Sequence, residues 1–344
     1  MRIEIAAFTL RGARLAGRLA EQLRAQGDEA RACSTARYAE PLGLVPLESA
    51  SAWAERAFPA SDALIFVGAT GIAVRSIAPL LRSKLTDPAV LSVDEAGRFA
   101  VSLVSGHVGG ANRLAHRIAA LTGGQAVVST ATDINNRFSV DEWIARSGMA
   151  LVNPHAVRAF AAALLDGETV GLSSEFPVEG TLPEGVERAL SGAVGLRVGV
   201  HRESPFGETV CAVPRIVTLG IGCRRGIARE AVEEAVALAL ERENLHPEAL
   251  CGAASIDLKQ NEAGLLAFCE AHGLPVRFHS AGELGAVPGE FTASERVLRA
   301  TGVDNVCERA AALSGGRLIS RKFAHSGVTV ALAISNFHLE FKGE

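Results

Sequence analysis

The sequence predicts an α/β protein with an N-terminal parallel-sheet domain, a small middle region and a separate C-terminal α/β domain. Three observations predict it. Short apolar runs of strand length alternate with stretches of helical spacing. Glycine-containing turns follow several of those runs at once. The length of 344 residues exceeds what one ordinary core accommodates. Strand, glycine turn and helix in repetition pack as a parallel sheet with helices on its faces.

Residues 3–8 read as the first strand, and residues 12–26 as a helix with Leu15, Leu19 and Leu23 four apart. The apolar run 63–67 is followed by the turn Gly68-Ala69-Thr70-Gly71. A second run, 99–104, leads into Ser105-Gly106-His107-Val108-Gly109-Gly110, and helical spacing covers 111–120. Residues 125–129 form a further strand before Thr130-Ala131-Thr132-Asp133. These elements make up an N-terminal domain at 1–140. Pro177, Pro183, Pro205 and Pro214 then punctuate short β-like runs, which sets a middle region and linker at 141–213. A fresh α/β unit occupies 214–338: strand 215–219, loop 220–226, an Ala- and Glu-rich helix 227–243, strand 253–258, helix 262–272 and strand 328–334. No fixed-period repeat is present, which excludes a solenoid.

Composition removes several functions. Lys plus Arg (34) against Asp plus Glu (38) gives a formal charge of −4, which argues against a general nucleic-acid partner. An aromatic share of 5% leaves few platforms for stacking bases. Met1-Arg2-Ile3-Glu4 places charges where a secretory signal needs an unbroken apolar segment, and no apolar run of about 20 residues would span a membrane. The six cysteines are scattered without a C-x-x-C pair, so free thiols in a cytoplasmic protein are expected. Oligomeric state has no signal in the sequence.

Ligands of open α/β sheets bind beyond the carboxyl ends of the strands. Three glycine-rich loops are predicted at such ends: GATGIAVR (68–75), SGHVGGAN (105–112) and STATDINN (129–136). Their glycines let backbone N–H groups approach a ligand, and a following helix N-terminus favours an anion. Gly68, Thr70, Gly71, Gly106, Gly109 and Gly110, with the polar Ser105, Asn112, Thr130 and Thr132, are therefore substrate-binding candidates. GATGIAVR misses a dinucleotide fingerprint at Val74 or at Thr70, and GIGCRRG (220–226) misses it at Arg225. In the latter loop Gly220, Gly222 and Gly226 surround Arg224 and Arg225, whose fork-shaped donors at a helix start suit a carboxylate or phosphate. Histidine is the side chain whose unperturbed pKa lies near neutrality, and His107 sits in a turn that can aim it into a cleft, although a loop histidine is as often bound to backbone. Asp133 can orient it or act as a base, or simply cap the following helix. Cys223 lacks an evident partner base, so it is expected to pack or to line a ligand. Lys259 reads as a solvated lysine by default, or as the third cation of a pocket with Arg224 and Arg225.

These stretches, in this order, resemble the cobalt-precorrin-5A hydrolase family of anaerobic cobalamin biosynthesis. The matching segments are GATGIAVR, SGHVGGANRLA, STATD, LGIGCRRG, the run from Ser255 to Leu284, and the tail beginning at Lys322. The likeness covers roughly residues 50 to 335, with NNRFSVDEW (135–143) and Cys307 departing from it. The resemblance implies opening of a δ-lactone on a cobalt macrocycle and loss of the methylated meso carbon as acetaldehyde. It implies a small-molecule tetrapyrrole substrate that carries its own cobalt, so neither a cofactor nor a protein metal site is required. That chemistry needs a base, oxyanion donors and cations for peripheral carboxylates. His107 with Asp133 is the expected base, and backbone N–H groups of Gly109 and Gly110, or Gly71 with Arg75, are the expected oxyanion donors. Arg224, Arg225 and Lys259 are expected to seat acetate and propionate groups. Contacts with neighbouring pathway enzymes are expected. Two alternatives stay open: a non-catalytic carrier that holds a tetrapyrrole intermediate for those enzymes, and a nucleotide-dependent oxidoreductase binding NAD(P) at the loop 68–75, against which the missing third glycine counts.

Overall fold

Residues 1–341 of the computed structural model are described below, except 84, 85, 108 and 136; for residues 132 and 133 only the backbone is described. The chain divides into two units, Met1–Trp143 and Ile144–Glu344.

The first unit is built on seven strands: β1 (Arg2–Ala7), β2 (Glu29–Thr35), β3 (Val45–Leu47), β4 (Ala63–Val67), β5 (Ala89–Val93), β6 (Phe99–Val104) and β7 (Gln125–Val127). Their order is β3-β2-β1-β4-β5-β6-β7. β4 is buried on both faces, which is why it reads as an unbroken apolar run. Ile65 joins the core formed by Ile3, Ile5 and the helix Leu10–Ala25 through Leu15, Leu19 and Leu23. Phe66 faces the other way, edge-on to Trp53 of the helix Ala50–Ala57.

β1 to β5 are parallel, but β6 runs antiparallel to β5, with Val90 opposite Val104 and Val93 opposite Ala100. β7 is parallel to β6. The cause is local. Only residues 94–98 join β5 to β6, too few for a crossover, so the chain must turn back as a hairpin. Asp94 accepts from the N–H groups of Ala96 (2.9 Å) and Phe99 (2.8 Å), and Gly97 takes the left-handed conformation at φ 71°. The N-terminal sheet is thus parallel over five strands and reversed over the last two.

The second unit contains two further five-stranded sheets. One uses β8 (Ala150–Leu151), β9 (Val170–Ser174), β11 (Val186–Arg188), β12 (Gly192–Val198) and β13 (Phe206–Val213); β10 (Val178–Gly180) lies outside it. The other uses β14 (Val217–Cys223), β15 (Leu250–Ile256), β16 (Val276–His279), β17 (Arg317–His325) and β18 (Val328–Ile334) in the order β16-β15-β14-β18-β17. β19 (Leu339–Phe341) pairs with β10. Leu219 and Ile221 pack with Val232, Val236 and Leu240 of the helix Arg229–Arg242. All six cysteines are free thiols. Among the described residues no helix is long and apolar enough to cross a membrane, and no cluster of His, Cys, Asp and Glu could hold a metal ion.

Candidate active site

The reversal at β6 decides where the three glycine-rich loops fall. Loop 68–75 follows β4 and lies at the carboxyl edge of β1 to β5. Loops 105–112 and 129–136 follow β6 and β7, which run the other way, so they lie at the opposite edge beside the start of β5. The expected convergence of all three is therefore corrected: the sheet brings two together and sets the third apart.

At the far edge, the Gly68 N–H donates to the Val93 carbonyl (2.8 Å), and the Thr70 hydroxyl meets that of Ser92 (3.0 Å). Arg75, on the helix Thr70–Ile77, folds back so that a Cβ on Gly71 would lie 3.4 Å from its guanidinium. Gly71 and Arg75 are thus separated from His107 by the length of the strands and cannot serve the same reacting atom.

At the near edge the loop is folded tightly on itself. The Ser105 carbonyl accepts from Ala111 N–H (3.1 Å), Gly106 from Asn112 (3.1 Å) and His107 from Gly110 (2.9 Å). These bonds seat the N-terminus of the helix Ala111–Thr122. A Cβ on Gly109 would stand 2.4 Å from the Ser105 Cβ, so only glycine fits there. Ser105 itself has φ 59°, a left-handed conformation that costs a non-glycine residue about 1–3 kcal/mol. Its hydroxyl is buried and has no hydrogen-bond partner among the described residues. The Asn112 side-chain amide donates to the Thr130 hydroxyl at 3.0 Å and ties the two loops together.

The carboxylate that the described residues place at His107 is that of Asp141, whose Oδ1 lies 3.5 Å from Nδ1. Ser139 Oγ and the Glu142 N–H also donate to this oxygen, at 3.0 and 3.1 Å. Burial, the largest influence, pushes the Asp141 carboxyl up. The His107 imidazole and the Ser139 and Glu142 donors together outweigh burial and hold the carboxyl below its ordinary value. Asp133 and Thr132 belong to the short helix Ala131–Ile134, and their side chains lie outside the described residues. Asp141 went unnoticed in the sequence because nothing in SVDEW marks it. Its helix, Val140–Arg146, shows only an acidic first turn, which is an ordinary way to complement a helix dipole.

A cavity of about 690 Å³ lies along this same edge. Gly109 and Asp87 line it, as do Arg2, Arg82, Phe58 and Leu80. The Gly110 N–H is already spent on His107, which removes it as an oxyanion donor; the Gly109 N–H has no partner among the described residues.

In the second unit β14 and β15 are adjacent and parallel, so GIGCRRG and the Asp257–Lys259 turn do meet at one carboxyl edge. The Gly220 backbone lies against the helix Cys307–Gly315 and Gly222 against Thr329, with no room for a Cβ at either. Gly226 turns the chain at φ 68°. The N–H groups of Gly226 and Ile227 donate to Glu262 Oε1 at 2.7 and 3.2 Å, and Lys259 Nζ pairs with Glu262 Oε2 at 3.2 Å. The Lys259 charge is therefore largely answered. Arg224 and Arg225 have no carboxylate partner among the described residues, and they remain the open cations of this edge. Burial pushes the Cys223 thiol up to about 11, which leaves it neutral and unsuited to nucleophilic attack.

Comparison with known proteins follows the same lines. Residues 52–133 match the family described as Cobalamin synthesis G N-terminal, and residues 217–333 match Cobalamin synthesis G C-terminus. The chain is 32% identical over 319 residues to the cobalt-precorrin-5A hydrolase of Salmonella typhimurium, covering 88% of this chain and 91% of that one. It is 28% identical over 298 residues to the cobalt-precorrin-5A hydrolase of Priestia megaterium, covering 80% and 79%. Protein CobE of Sinorhizobium sp is 35% identical over 124 residues, which are 34% of this chain and 79% of that protein. The loops around His107 and the GIGCRRG edge both fall inside the matched segments, and the chain belongs to the cobalt-precorrin-5A hydrolase family.

Proposed function

We propose that the chain is a cytosolic hydrolase that opens the δ-lactone of cobalt-precorrin-5A and releases acetaldehyde, with its chemistry at the edge carrying loops 105–112 and 129–136. The observation that carries the site assignment is the His107–Asp141 pair set in a strained glycine-rich loop beside a cavity. With Asp141 on Nδ1, the proton-accepting atom of the imidazole is Nε2. It takes a proton from water as the water oxygen adds to the lactone carbonyl. The Ser105 hydroxyl and the Gly109 N–H are the donors for the resulting oxyanion. Collapse expels the ring oxygen, which receives the proton back from His107. That hydroxyl then gives its proton to His107 Nε2 as its oxygen forms the carbonyl of acetaldehyde, the C–C bond to the macrocycle breaks, and the electrons of that bond pass into the cobalt macrocycle. Cobalt travels with the substrate, and the steps written here call for no cofactor of the protein's own. Arg224 and Arg225 offer carboxylate recognition on their own edge.

The test is anaerobic incubation of the purified protein with cobalt-precorrin-5A and assay of released acetaldehyde. Release is expected, together with a loss of about a hundredfold or more in His107→Ala. Release that survives this substitution overturns the site. Tight binding of the corrinoid without acetaldehyde would assign a holding role in place of catalysis.

A further inference from the structure

A second cavity, of about 390 Å³, lies on the sheet face beneath the helix Ala50–Ala57. Arg2, Arg24, Arg31, Arg56 and Trp53 line it. Its floor breaks the rule that strands inside a parallel sheet read as apolar runs. Glu4 of β1 and Arg31 of β2 form an ion pair at 2.9 Å, on strands that are both flanked by neighbours in the sheet. Such local departures tend to mark functional sites.

Glu29 and Ser61 line the cavity as well, and several of its polar groups are already engaged. Arg2 is engaged by Asp62 (3.3 Å), and Arg24 Nη1 donates to the Ala30 carbonyl (2.8 Å). Arg31 uses Nε on Glu4, which leaves its outer nitrogens unengaged among the described residues. Arg56 is exposed and has no partner among them. Trp53 is 3% exposed, and its indole N–H has no hydrogen-bond acceptor. It faces Cys33 without reaching bonding geometry. Burial, with Glu4 alongside, pushes that thiol up to about 12, so the sulfur stays neutral and is a weak acceptor. A buried donor without an acceptor costs free energy that a ligand oxygen would recover.

We infer that this cavity is a carboxylate subsite, which takes acetate or propionate arms of the tetrapyrrole on Arg31, Arg56 and the Trp53 indole N–H. The inference rests on the substrate proposed above. The groups without a partner among the described residues are two guanidinium forks and one buried N–H, which match a carboxylate, together with the carboxylate of Glu29, which also lines the cavity. The two cavities share Arg2 and Ser61 in their walls, so arms and reacting lactone can belong to one molecule. Between β2, which carries Arg31, and β6, which leads to His107, lie four strand spacings, about 19 Å, a breadth suited to a macrocycle with extended side chains. The volume suits side-chain arms and excludes the ring system itself.

The experiment is fluorescence titration of the full-length protein with an octacarboxylate porphyrin, run beside acetaldehyde kinetics. The proteins compared are wild type, Arg56→Gln, Arg31→Gln, Trp53→Phe and His107→Ala. Arg56 is exposed and unpartnered, so Arg56→Gln should fold normally. The expected results are porphyrin binding and KM weakened by about tenfold in each arginine variant, a loss of a few-fold in Trp53→Phe, and kcat within about twofold of wild type. Wild-type porphyrin affinity and KM in Arg56→Gln and Trp53→Phe would overturn the subsite. His107→Ala should bind the porphyrin as wild type does while releasing no acetaldehyde. If wild type itself releases none, the proposed function fails, and the porphyrin titration still decides the subsite.

Discussion

At the scale of single residues, the proposed active edge depends on three side chains and one missing one. His107 receives Asp141 on one ring nitrogen, and Asp141 is fixed by Ser139 and its own helix start. Asp141→Asn keeps the shape but removes the charge that supports a transient imidazolium. Its kcat should fall by about tenfold or more, less than in His107→Ala, in the same acetaldehyde assay. Gly109 marks the closest approach in the loop. In Gly109→Ala the new methyl would meet the Ser105 Cβ at 2.4 Å and its carbonyl oxygen at 2.8 Å. The loop must open, and displacement of catalytic groups by about 1 Å can cost on the order of a hundredfold in rate. Turnover should therefore fall by at least tenfold with the far-ultraviolet circular dichroism unchanged. An unimpaired Gly109→Ala would remove the loop from the mechanism.

At the scale of elements, the helix Cys307–Gly315 is anchored by a fully buried carboxylate. Glu308 accepts from Thr292 N–H (3.0 Å), Thr292 Oγ1 (2.6 Å), Lys322 N–H (2.8 Å) and Arg321 (3.4 Å). These bonds join the helix to loop residue 292 and to the irregular strand β17, whose register shifts around Ser320. Burial pushes the Glu308 carboxyl up most strongly, yet the donors together hold it below its ordinary value. A carboxyl whose folded pKa is depressed stabilises the fold at pH above the unfolded value. The stabilisation is lost as pH falls through the lower, folded value. Glu308→Gln should therefore destabilise by roughly 1–3 kcal/mol near neutrality. In urea unfolding at a series of pH values, its gap from wild type should narrow below about pH 4. A gap that stays constant with pH would mean that the carboxylate's charge contributes nothing to the anchoring.

At the scale of the whole molecule, the course of one strand settles which residues can act together. Because β6 turns back on β5, Arg75 sits at the edge opposite His107. Arg75→Gln should leave kcat and KM for acetaldehyde release within about twofold of wild type. A loss of a hundredfold would place the chemistry at the other edge and displace His107. The same reversal brings the His107 loop to the amino ends of β1, β4 and β5, where Arg2 and Ser61 line both cavities. Ligands of open α/β sheets ordinarily bind beyond the carboxyl ends. The exception is one of labelling rather than physics, since the loops that matter still follow the carboxyl ends of β6 and β7.

The sequence by itself determined the α/β class and the strands 63–67, 99–104 and 328–334, because an apolar run bounded by glycine turns leaves a chain few other choices. It also determined the loops that carry the family likeness, since their glycines answer to close backbone approaches fixed within a few residues. The tertiary structure alone decided the rest. The strand Ala89–Val93 is short and ends in a five-residue hairpin; unread in the sequence, it concealed the reversal that separates Arg75 from His107. The pairing of His107 with Asp141, and of Trp53 with a cavity floored by Arg31 and Glu4, joins residues far apart in the chain. Local periodicity reports which face of an element is buried, and it carries no information about what another element brings against that face.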